Sequence, residues 1–317
     1  MYSSFMKVQG GTEARLCFYP WRLDTYGRGC SHNCLYCSAR SNLEFRDYWN
    51  DPPEKGLLTR IRKALDSPRW KPFFDKKIPL RLGSMSDCFS ARERESHVTL
   101  WTLRLLKDMN HSVIILTKSP MIAEDKYIES LPEKSYIQFS ITTPSDTTAA
   151  LLEPGAETTH DRLIAAKKLM RKGFRVAARI NPMFPTHVDG HFSKGRKGPQ
   201  LKIFDWSLID MCKGAVDTVI AGFVRLSPWN MRWLSAAGYH LSPFFTGKLT
   251  EGSYKYSNKE KQYYYEKAKM MTERNGISFS VCYDDNHAYE TFRYLWEDDR
   301  DCCNGLSYFG RNYQWES

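Results

Sequence analysis

Three cysteines lie close together in the segment GRGCSHNCLYCSAR, residues 27–40. Cys30, Cys34 and Cys37 follow the spacing C-x3-C-x2-C. A structural zinc site closes with four Cys or His ligands, and His32 lies between the first two cysteines, where it is poorly placed to join all three. Thiolates also hold iron–sulfur clusters, and a cluster with only three protein ligands leaves one iron open. An open iron indicates a catalytic centre.

The composition is that of a large globular protein with anionic partners. The chain has 317 residues, of which 42% are hydrophobic, and a net charge of +10, which favours partners such as nucleic acid. It has neither an apolar run of about 18 residues nor the apolar centre of a secretory signal. We therefore expect a cytoplasmic protein without a membrane segment. Its nine cysteines are clustered, which favours reduced thiols or metal ligands over a disulfide framework.

Short apolar runs alternate with amphipathic stretches along the chain, as in repeated βα units around a parallel sheet. β-Branched and aromatic residues predict strands over 78–83, 112–117, 136–141, 174–180 and 218–224. A first strand just before Cys30 completes six parallel strands. The clearest helix covers 159–172, between a capping box at Thr158 and Asp161 and a terminating Gly173.

These elements predict an α/β fold, a partial (β/α)6 TIM-type barrel with a small C-terminal extension. We assign residues 1–240 to the barrel core and residues 241–317 to a C-terminal helix, a strand and a tail that contains cysteines. The three clustered cysteines then lie in the loop after the first strand. Active sites of βα barrels form at that rim, where the carboxyl ends of the strands meet.

The cysteine spacing, with the aromatic Tyr36 just before the last cysteine, resembles the signature of radical S-adenosylmethionine (SAM) enzymes. The likeness narrows to the spore photoproduct lyase-like branch and covers roughly residues 20–282. Four stretches carry it: GSMSD (83–87), ILTKSP (115–120), FSITT with LLEPGAETTHDRL (139–163), and FRVAARINPMFP (174–185). The resemblance implies a 4Fe–4S cluster whose open iron binds SAM, which one electron cleaves to methionine and a 5′-deoxyadenosyl radical.

The same resemblance implies residues that hold SAM. Gly83, Ser84 and Ser86 match the loop that contacts the methionine end of SAM. Lys118 matches a lysine that reaches the carboxylate, and Ser140 a serine near the ribose. A carboxylate prefers a nearby cation, and ribose hydroxyls need short polar partners. The alternatives are that Lys118 is a solvated surface lysine and that the Ser140 hydroxyl hydrogen-bonds its own backbone.

The sequence departs from the family pattern at the hydrogen-atom donor. Spore photoproduct lyases repair a thymine dimer and use a cysteine at the position of Ser84 as the hydrogen-atom donor. An O–H bond is stronger than an S–H bond, so a serine is a poor donor to a carbon radical. Cys88 lies four residues further on and is the alternative donor. Of a tyrosine pair that flanks the last cluster cysteine, this chain keeps Tyr36 and has Ser38 at the second place. We therefore expect base rearrangement, with hydrogen returned from 5′-deoxyadenosine, rather than repair.

Two further groups have open roles. Cys282, Cys302 and Cys303 in the tail would bind an auxiliary cluster or zinc, or remain free thiols. Arg179 on the fifth predicted strand and Arg225 after the sixth would hold a phosphate or carboxylate, or close ion pairs within the barrel.

Three stretches rich in cations or tyrosines indicate a DNA surface: residues 69–77, 191–202 and 252–269. Their alternative is a set of solvated lysines with tyrosines packed beneath. We predict a monomeric isomerase- or lyase-type radical SAM enzyme that modifies a thymine-derived base in DNA and receives electrons from a flavodoxin or ferredoxin. The alternatives are spore photoproduct lyase-like repair, a radical SAM enzyme acting on RNA, peptide or metabolite, and a zinc-stabilised nucleic acid-binding protein.

Overall fold

The structure is a computed structural model. It describes residues 5–7, 19, 21–26, 29–43, 57–184, 203–242, 245, 249, 252–282, 291–297 and 302–309. The basic stretch 191–202 lies outside the described residues, so its predicted role in DNA binding stays a prediction.

One sheet of eight strands organises the protein, and its strands follow one another in chain order. They are β1 (Phe5–Lys7), β2 (Trp21–Leu23), β3 (Leu80–Leu82), β4 (Val113–Thr117), β5 (Ser135–Ser140), β6 (Arg175–Met183), β7 (Thr218–Phe223) and β8 (Ser278–Val281). β1 is antiparallel to β2, and every later neighbour is parallel. The predicted partial barrel is confirmed, and β8 adds a seventh parallel strand from the segment 241–317.

Helices connect the strands, as right-handed βα crossovers require. They are α1 (Ser38–Leu43), α2 (Leu57–Asp66), α3 (Lys71–Asp75), α4 (Glu93–Ser96), α5 (Val98–Asp108), α6 (Asp125–Ile128), α7 (Asp146–Leu152), α8 (Thr159–Arg171), α9 (Ser207–Met211), α10 (Pro228–Ala236), α11 (Asn258–Arg274) and α12 (Leu306–Phe309). The predicted helix over 159–172 is confirmed as α8, since Thr158 accepts the Asp161 N–H at 3.1 Å. Within the described ranges, none of these helices has the length and apolar character needed to cross a membrane.

The two faces of the sheet differ in polarity because successive side chains of a strand point to opposite sides. The outer face is apolar and packs against helices; Trp21, for example, contacts Phe73 and Phe74 of α3. The inner face is largely polar. Its polar members, which share a face by their register, are Arg22, Arg81, Tyr136, Gln138, Ser140, Arg175, Arg179, Thr218, Ser278 and Ser280.

Candidate functional site

The loop that carries the three clustered cysteines, residues 29–37 (the cysteine loop), follows β2 and leads into α1. It is held from two sides. The Leu35 N–H donates to the Leu152 carbonyl at the end of α7, at 2.9 Å. The buried Asn230 amide on α10 donates to the carbonyls of Leu35 at 3.1 Å and Cys37 at 3.2 Å. These bonds fix the backbone on both sides of Tyr36.

Gly155, in the connection between α7 and α8, holds the first half of the cysteine loop. Its N–H donates to the His32 carbonyl at 3.0 Å, and its own carbonyl lies 2.9 Å from His32 Nδ1. A Cβ at Gly155 would overlap the Ser31 carbonyl, so the close approach requires glycine. His32 Nε2 lies 3.0 Å from Asp87 Oδ2. Both imidazole nitrogens therefore have protein neighbours, and His32 is not placed as a metal ligand.

The three thiols of the cysteine loop are free, and burial raises the pKa of each. Burial and the Asp87 carboxylate bring the pKa of Cys30 to about 12. Such thiols lose their protons when a metal binds them, because metal ligands must be deprotonated. No three His, Cys, Asp or Glu side chains in the described ranges converge on a single ion. The thiolates of an iron–sulfur cluster bind different iron atoms, so the donor set fits a cluster better than a zinc ion.

Lys118 follows β4 and brings a positive charge to the cysteine loop. Its Nζ lies 5.8 Å from the centre of the Tyr36 ring. Burial lowers the Lys118 pKa, but Cys34 and Glu153 outweigh burial and raise it, so the side chain is an ammonium. In the described part of the chain this ammonium has no hydrogen-bond partner. A cation in this position is ready to hold a carboxylate.

A buried acid–base network lies under Tyr36. The Tyr36 hydroxyl donates to Glu153, which also lies 2.5 Å from Arg162 Nη2 of α8. Arg162 Nη1 donates to the Ser140 carbonyl at the end of β5, at 2.9 Å. Burial raises the pKa of Glu153, but Arg162 and Lys118 outweigh it and lower the pKa, so Glu153 is a carboxylate. The network ties the cysteine loop to the rim of β5.

The GSMSD loop after β3 is shaped by Asp24. One carboxylate oxygen of Asp24 accepts the N–H groups of Ser84 at 2.8 Å, Met85 at 2.8 Å and Ser86 at 3.3 Å. Gly83 has a φ of 75°, and a Cβ there would overlap the Leu116 carbonyl. The loop is therefore a tight turn that needs glycine at its start.

Asp87 at the end of this loop joins three elements. It accepts the Lys118 N–H at 2.6 Å and the Thr117 hydroxyl at 2.8 Å, in addition to pairing with His32 of the cysteine loop. Burial raises the Asp87 pKa, but His32 and these hydrogen bonds outweigh it and lower the pKa to about 2. The ionised carboxylate locks the β4 end, the GSMSD loop and the cysteine loop together.

Two predicted serine ligands have uncommitted hydroxyls. Ser86 Oγ is buried and has no partner among the described residues, and the same part of the chain offers none to Ser140 Oγ. Ser84 Oγ instead accepts a hydrogen bond from Arg22 Nη1 at 2.9 Å. One ammonium and two hydroxyls without partners in the described part of the chain therefore lie on segments that are tied to the cysteine loop, and this donor set fits SAM and its cluster.

Cys88, the predicted hydrogen donor, lies in the core behind the GSMSD loop. It has no solvent exposure, and its Sγ lies 3.4 Å from where a Gly83 Cβ would be. Burial, with the carboxylates of Asp87 and Glu93, raises its pKa well above the usual range. It is therefore a protonated, enclosed thiol.

Arg179 contacts the tail cysteines instead of standing open at the rim. Its guanidinium donates to Gln138 Oε1 at 2.9 Å, to Cys282 Sγ at 2.9 Å and to Cys303 Sγ at 3.7 Å. Its predicted role as a cofactor ligand stays a prediction, and so does the auxiliary metal at the tail cysteines.

Most aromatic residues of the two described cation-rich stretches pack inward, whereas Tyr254 and Tyr263 are half-buried. In 69–77, Trp70, Phe73 and Phe74 are buried, as are Tyr264 and Tyr265 within 252–269. These rings are consequently not available to stack on bases.

The sequence did not predict the structural roles of five residues that organise the site. They are Asp87, Glu153, Gly155, Arg162 and Asn230. The first four lie in the motif segments quoted above, and the fifth, Asn230, lies outside those segments. A buried charge or glycine in a loop gives little local signal, because its partners are distant in sequence. The acidic residue that ends GSMSD and the E-x-G of LLEPGAETTHDRL were the available hints.

No family model matches the chain. It is 22% identical over 183 residues to an uncharacterised protein of Methanocaldococcus jannaschii, which covers 58% of this chain and 68% of that protein.

Solved structures show the fold. Spore photoproduct lyase, as a mutant with bound AdoMet and dinucleoside spore photoproduct, matches with a TM-score of 0.59 and 14% identity over 83% of this chain and 76% of that chain. The lyase complexed with dinucleoside spore photoproduct matches with a TM-score of 0.58 and 15% identity over 80% of this chain and 74% of that chain. The chain therefore has the fold of spore photoproduct lyase, as the sequence motifs predicted.

Proposed function

We propose that this protein is a radical SAM enzyme in which Cys30, Cys34 and Cys37 bind a 4Fe–4S cluster. The observation that carries this proposal is the Lys118 ammonium beside Tyr36 and the cysteine loop, which has no hydrogen-bond partner among the described residues. When bound, the cluster supplies the electron that cleaves SAM to methionine and a 5′-deoxyadenosyl radical. The protein binds and orients SAM and keeps water away from the reacting atoms.

The residues around the loop suit distinct parts of SAM. Lys118 would pair with the carboxylate, because a partly buried ammonium without a partner gains most from an anion. Ser86 and Ser140 would donate hydrogen bonds to, or accept them from, polar groups of the cofactor, since their hydroxyls have no partner among the described residues. Gly83 has no side chain, so the cofactor can approach the backbone of the loop closely.

The substrate we propose is a thymine-derived base in DNA. A group of two arginines and two tryptophans lies beside the cysteine loop; this Arg–Trp patch consists of the exposed Trp229 and Arg232 and the half-buried Arg40 and Trp233. The Arg40 guanidinium lies 4.4 Å from the Trp233 ring centre, and that of Arg232 lies 5.0 Å from that of Trp229.

Position and chemistry both connect this patch to the reacting centre. Trp229 is 48% exposed and is next to Asn230, which anchors the cysteine loop. Cations that hold phosphates next to rings that stack on bases are typical of single-stranded nucleic acid surfaces. The spore photoproduct lyase structures hold a dinucleoside, which supports the same substrate class here.

The reaction type we propose is base rearrangement or hypermodification. Ser84 occupies the position of the lyase donor cysteine, and its hydroxyl is bound to Arg22. Cys88 is enclosed in the core, so a substrate radical has no direct path to its sulfur. Hydrogen return from 5′-deoxyadenosine then completes the cycle, and the product has the composition of a rearranged base.

Anaerobic reconstitution with iron and sulfide, followed by dithionite and SAM, tests the proposal. Without a DNA substrate, no radical takes the hydrogen back, so we expect uncoupled 5′-deoxyadenosine formation that depends on Cys34 and is retained in Cys212→Ser, whose thiol lies in the core. Single-stranded DNA with modified thymines is compared with RNA and peptide of similar charge. In deuterated water we expect a product without deuterium.

Three results would contradict parts of the proposal. Zinc in place of iron, with no 5′-deoxyadenosine, would indicate a zinc-stabilised binding protein. Turnover of RNA, peptide or a metabolite without DNA binding at moderate salt would reject the DNA substrate. Deuterium in the product would indicate a thiol donor and restore the repair-type reaction.

A further inference from the structure

Four arginines on the inner face of the barrel share a single carboxylate among the described residues. They are Arg22, Arg81, Arg175 and Arg179. Only Arg22 forms an ion pair in that part of the chain, with Asp24 at 3.7 Å. Cations that are partly removed from water and have no anion beside them raise the free energy of the folded state. The inner face therefore has an excess of positive charge that a bound anion would balance.

Arg179 is the most enclosed of these cations, with 5% of its surface exposed. Its guanidinium donates to Gln138 Oε1 at 2.9 Å and to the sulfurs of Cys282 and Cys303 at 2.9 and 3.7 Å, and none of these acceptors is a carboxylate. The charge of Arg81 acts on the Cys282 sulfur together with that of Arg179. Arg81 Nε is buried without a partner among the described residues. Two cations thus converge on one part of the inner face.

Arg179 also fixes the orientation of the Gln138 amide. A guanidinium only donates hydrogen bonds, so the amide oxygen faces Arg179 and Nε2 is directed away from it. Gln138 is fully buried, and its Nε2 has no partner in the described part of the chain. The same holds for the hydroxyl of the fully buried Ser280, which lies in the layer of Arg179 two strands away, at about 10 Å. Two buried hydrogen-bond donors therefore accompany the two cations.

The chemistry of this set indicates what it would bind. Guanidinium, amide N–H and hydroxyl groups all donate to oxygen, and guanidinium groups bind carboxylates and phosphates through paired hydrogen bonds. A water molecule or a neutral carbonyl would satisfy the hydrogen bonds but leave the charge unbalanced. The set therefore fits an oxyanion, that is, a carboxylate or a phosphate group.

The position of the set indicates which part of a substrate carries the oxyanion. Arg179 is the direct register partner of Ser140, which we assign to the SAM site. The donors thus lie beside that site, on the inner face of the barrel. A base that is flipped out of a DNA strand enters a pocket while its backbone stays outside. An anion that reaches this face is consequently attached to the base and not to the backbone.

We propose that the inner face binds an oxyanion on the substituent of the thymine-derived base. Arg81, Gln138 Nε2 and the Ser280 hydroxyl bind its oxygens, and Arg179 is the positioning residue that orients the Gln138 amide and adds charge. The inference rests on the proposed function and names the group that separates the substrate from ordinary thymine. Thymine lacks the anion and would leave the cations unpaired, so the site discriminates against it.

Calorimetric titration of the reconstituted protein tests the oxyanion, with SAM present and no dithionite, so that no turnover occurs. The probe is 5-carboxymethyl-2′-deoxyuridine, and its uncharged counterpart of the same shape is 5-carbamoylmethyl-2′-deoxyuridine. We expect the acid to bind at least about tenfold more tightly than the amide. A second pair compares 5-hydroxymethyl-2′-deoxyuridine with its phosphate ester at the hydroxymethyl group. A tenfold gain in either pair supports the site and identifies its anion.

Variants connect this preference to the inner face. Arg81→Gln should reduce the preference for the charged nucleoside about tenfold, and Arg81→Lys should retain part of it. Arg171→Gln is the matched control, because Arg171 is an exposed arginine on α8, and it should keep the full preference. Gln138→Glu places a carboxylate beside Arg179. It should abolish the preference and raise the melting temperature by about 2 °C or more, which loss of a merely structural amide would not do.

Four results would overturn the oxyanion site. The first is equal affinity for the charged and uncharged nucleosides of both pairs. The second is a preference that Arg81→Gln and Gln138→Glu both retain. The third is an Arg81-dependent gain for thymidine 5′-monophosphate over thymidine, which would assign the anion to the backbone. The fourth is zinc or a second cluster that Cys282 and Cys303 hold, because its thiolates would balance Arg179.

The titrations need no SAM cleavage, so the two proposals fail separately. Loss of the charge preference with normal 5′-deoxyadenosine formation would reject the oxyanion site alone. Absence of 5′-deoxyadenosine with an intact, Arg81-dependent preference would reject the radical chemistry alone.

Discussion

The two groups of cysteines in this protein differ in what surrounds their sulfurs. The cysteine loop contains Cys30, Cys34 and Cys37, and the tail group contains Cys282, Cys302 and Cys303. In the loop, burial raises the pKa of each thiol, and the nearby Lys118 ammonium has no hydrogen-bond partner in the part of the chain that the structure describes. In the tail group, Arg179 donates directly to two of the sulfurs.

The difference teaches that charge partners decide the chemistry of a cysteine more than its neighbours in sequence do. Thiols without a local cation in hydrogen-bond contact depend on a metal for deprotonation, which suits a cluster loop. A sulfur that already accepts a hydrogen bond from a guanidinium has a cation that stabilises its thiolate form without metal. The following predictions separate these two cases.

The largest effect is expected from Cys34→Ala. Loss of one of three ligands should remove most of the cluster iron and lower 5′-deoxyadenosine formation by about 10³-fold or more, since the chemistry belongs to the cofactor. Iron analysis and product chromatography measure both. Cys303→Ser should keep the iron and the activity, and equal iron loss from the two variants would abolish the distinction.

The next largest effect concerns the buried network under the cysteine loop. Glu153→Ala leaves the buried Arg162 without its carboxylate, so the free energy of unfolding should fall by about 3–5 kcal/mol. Denaturant titration measures the change. Asp146→Asn is the control, because its pair with His160 is at the surface and should contribute less than about 1 kcal/mol. A similar loss of unfolding free energy in both variants would show that burial does not increase the contribution of this network to stability.

Lys118→Ala should weaken SAM binding about 10- to 100-fold, the range for one hydrogen bond to a charged group. Because the ammonium has no partner in the described part of the protein, stability should change little. Calorimetric titration of SAM measures the affinity, and Lys118→Arg should recover part of it. Unchanged affinity in Lys118→Ala would remove this residue from the proposed SAM site.

The smallest effect is expected at the Arg–Trp patch. Trp229→Ala should weaken binding of single-stranded DNA by about 1 kcal/mol, roughly fivefold, through loss of stacking. Arg232→Gln should lower affinity and reduce its dependence on salt. Fluorescence anisotropy at several salt concentrations measures both changes. Trp101→Ala is the control, because Trp101 on α5 is similarly exposed, at 49%, and outside the patch.

Much of the fold followed from local pattern. The period of apolar residues and the turn residues placed the strands and α8 to within a few residues, because these elements bury one face along their whole length. The parallel pairing of β8 was not predicted, since pairing depends on which edge of the sheet is open. The predicted DNA surface of the cation-rich stretches stays a prediction, and burial of most rings in the two described stretches was not evident from composition.

The sequence alone determined the cysteine spacing, the glycine-rich turns and the alternation of strands and helices, since each depends on residues close together along the chain. Only the tertiary structure decided that Glu153 and Arg162 lie under Tyr36, that Asp87 joins three loops, and that the tail group surrounds Arg179. Those contacts join segments far apart in sequence. Their electrostatic energies depend on distance and burial, which no local pattern contains.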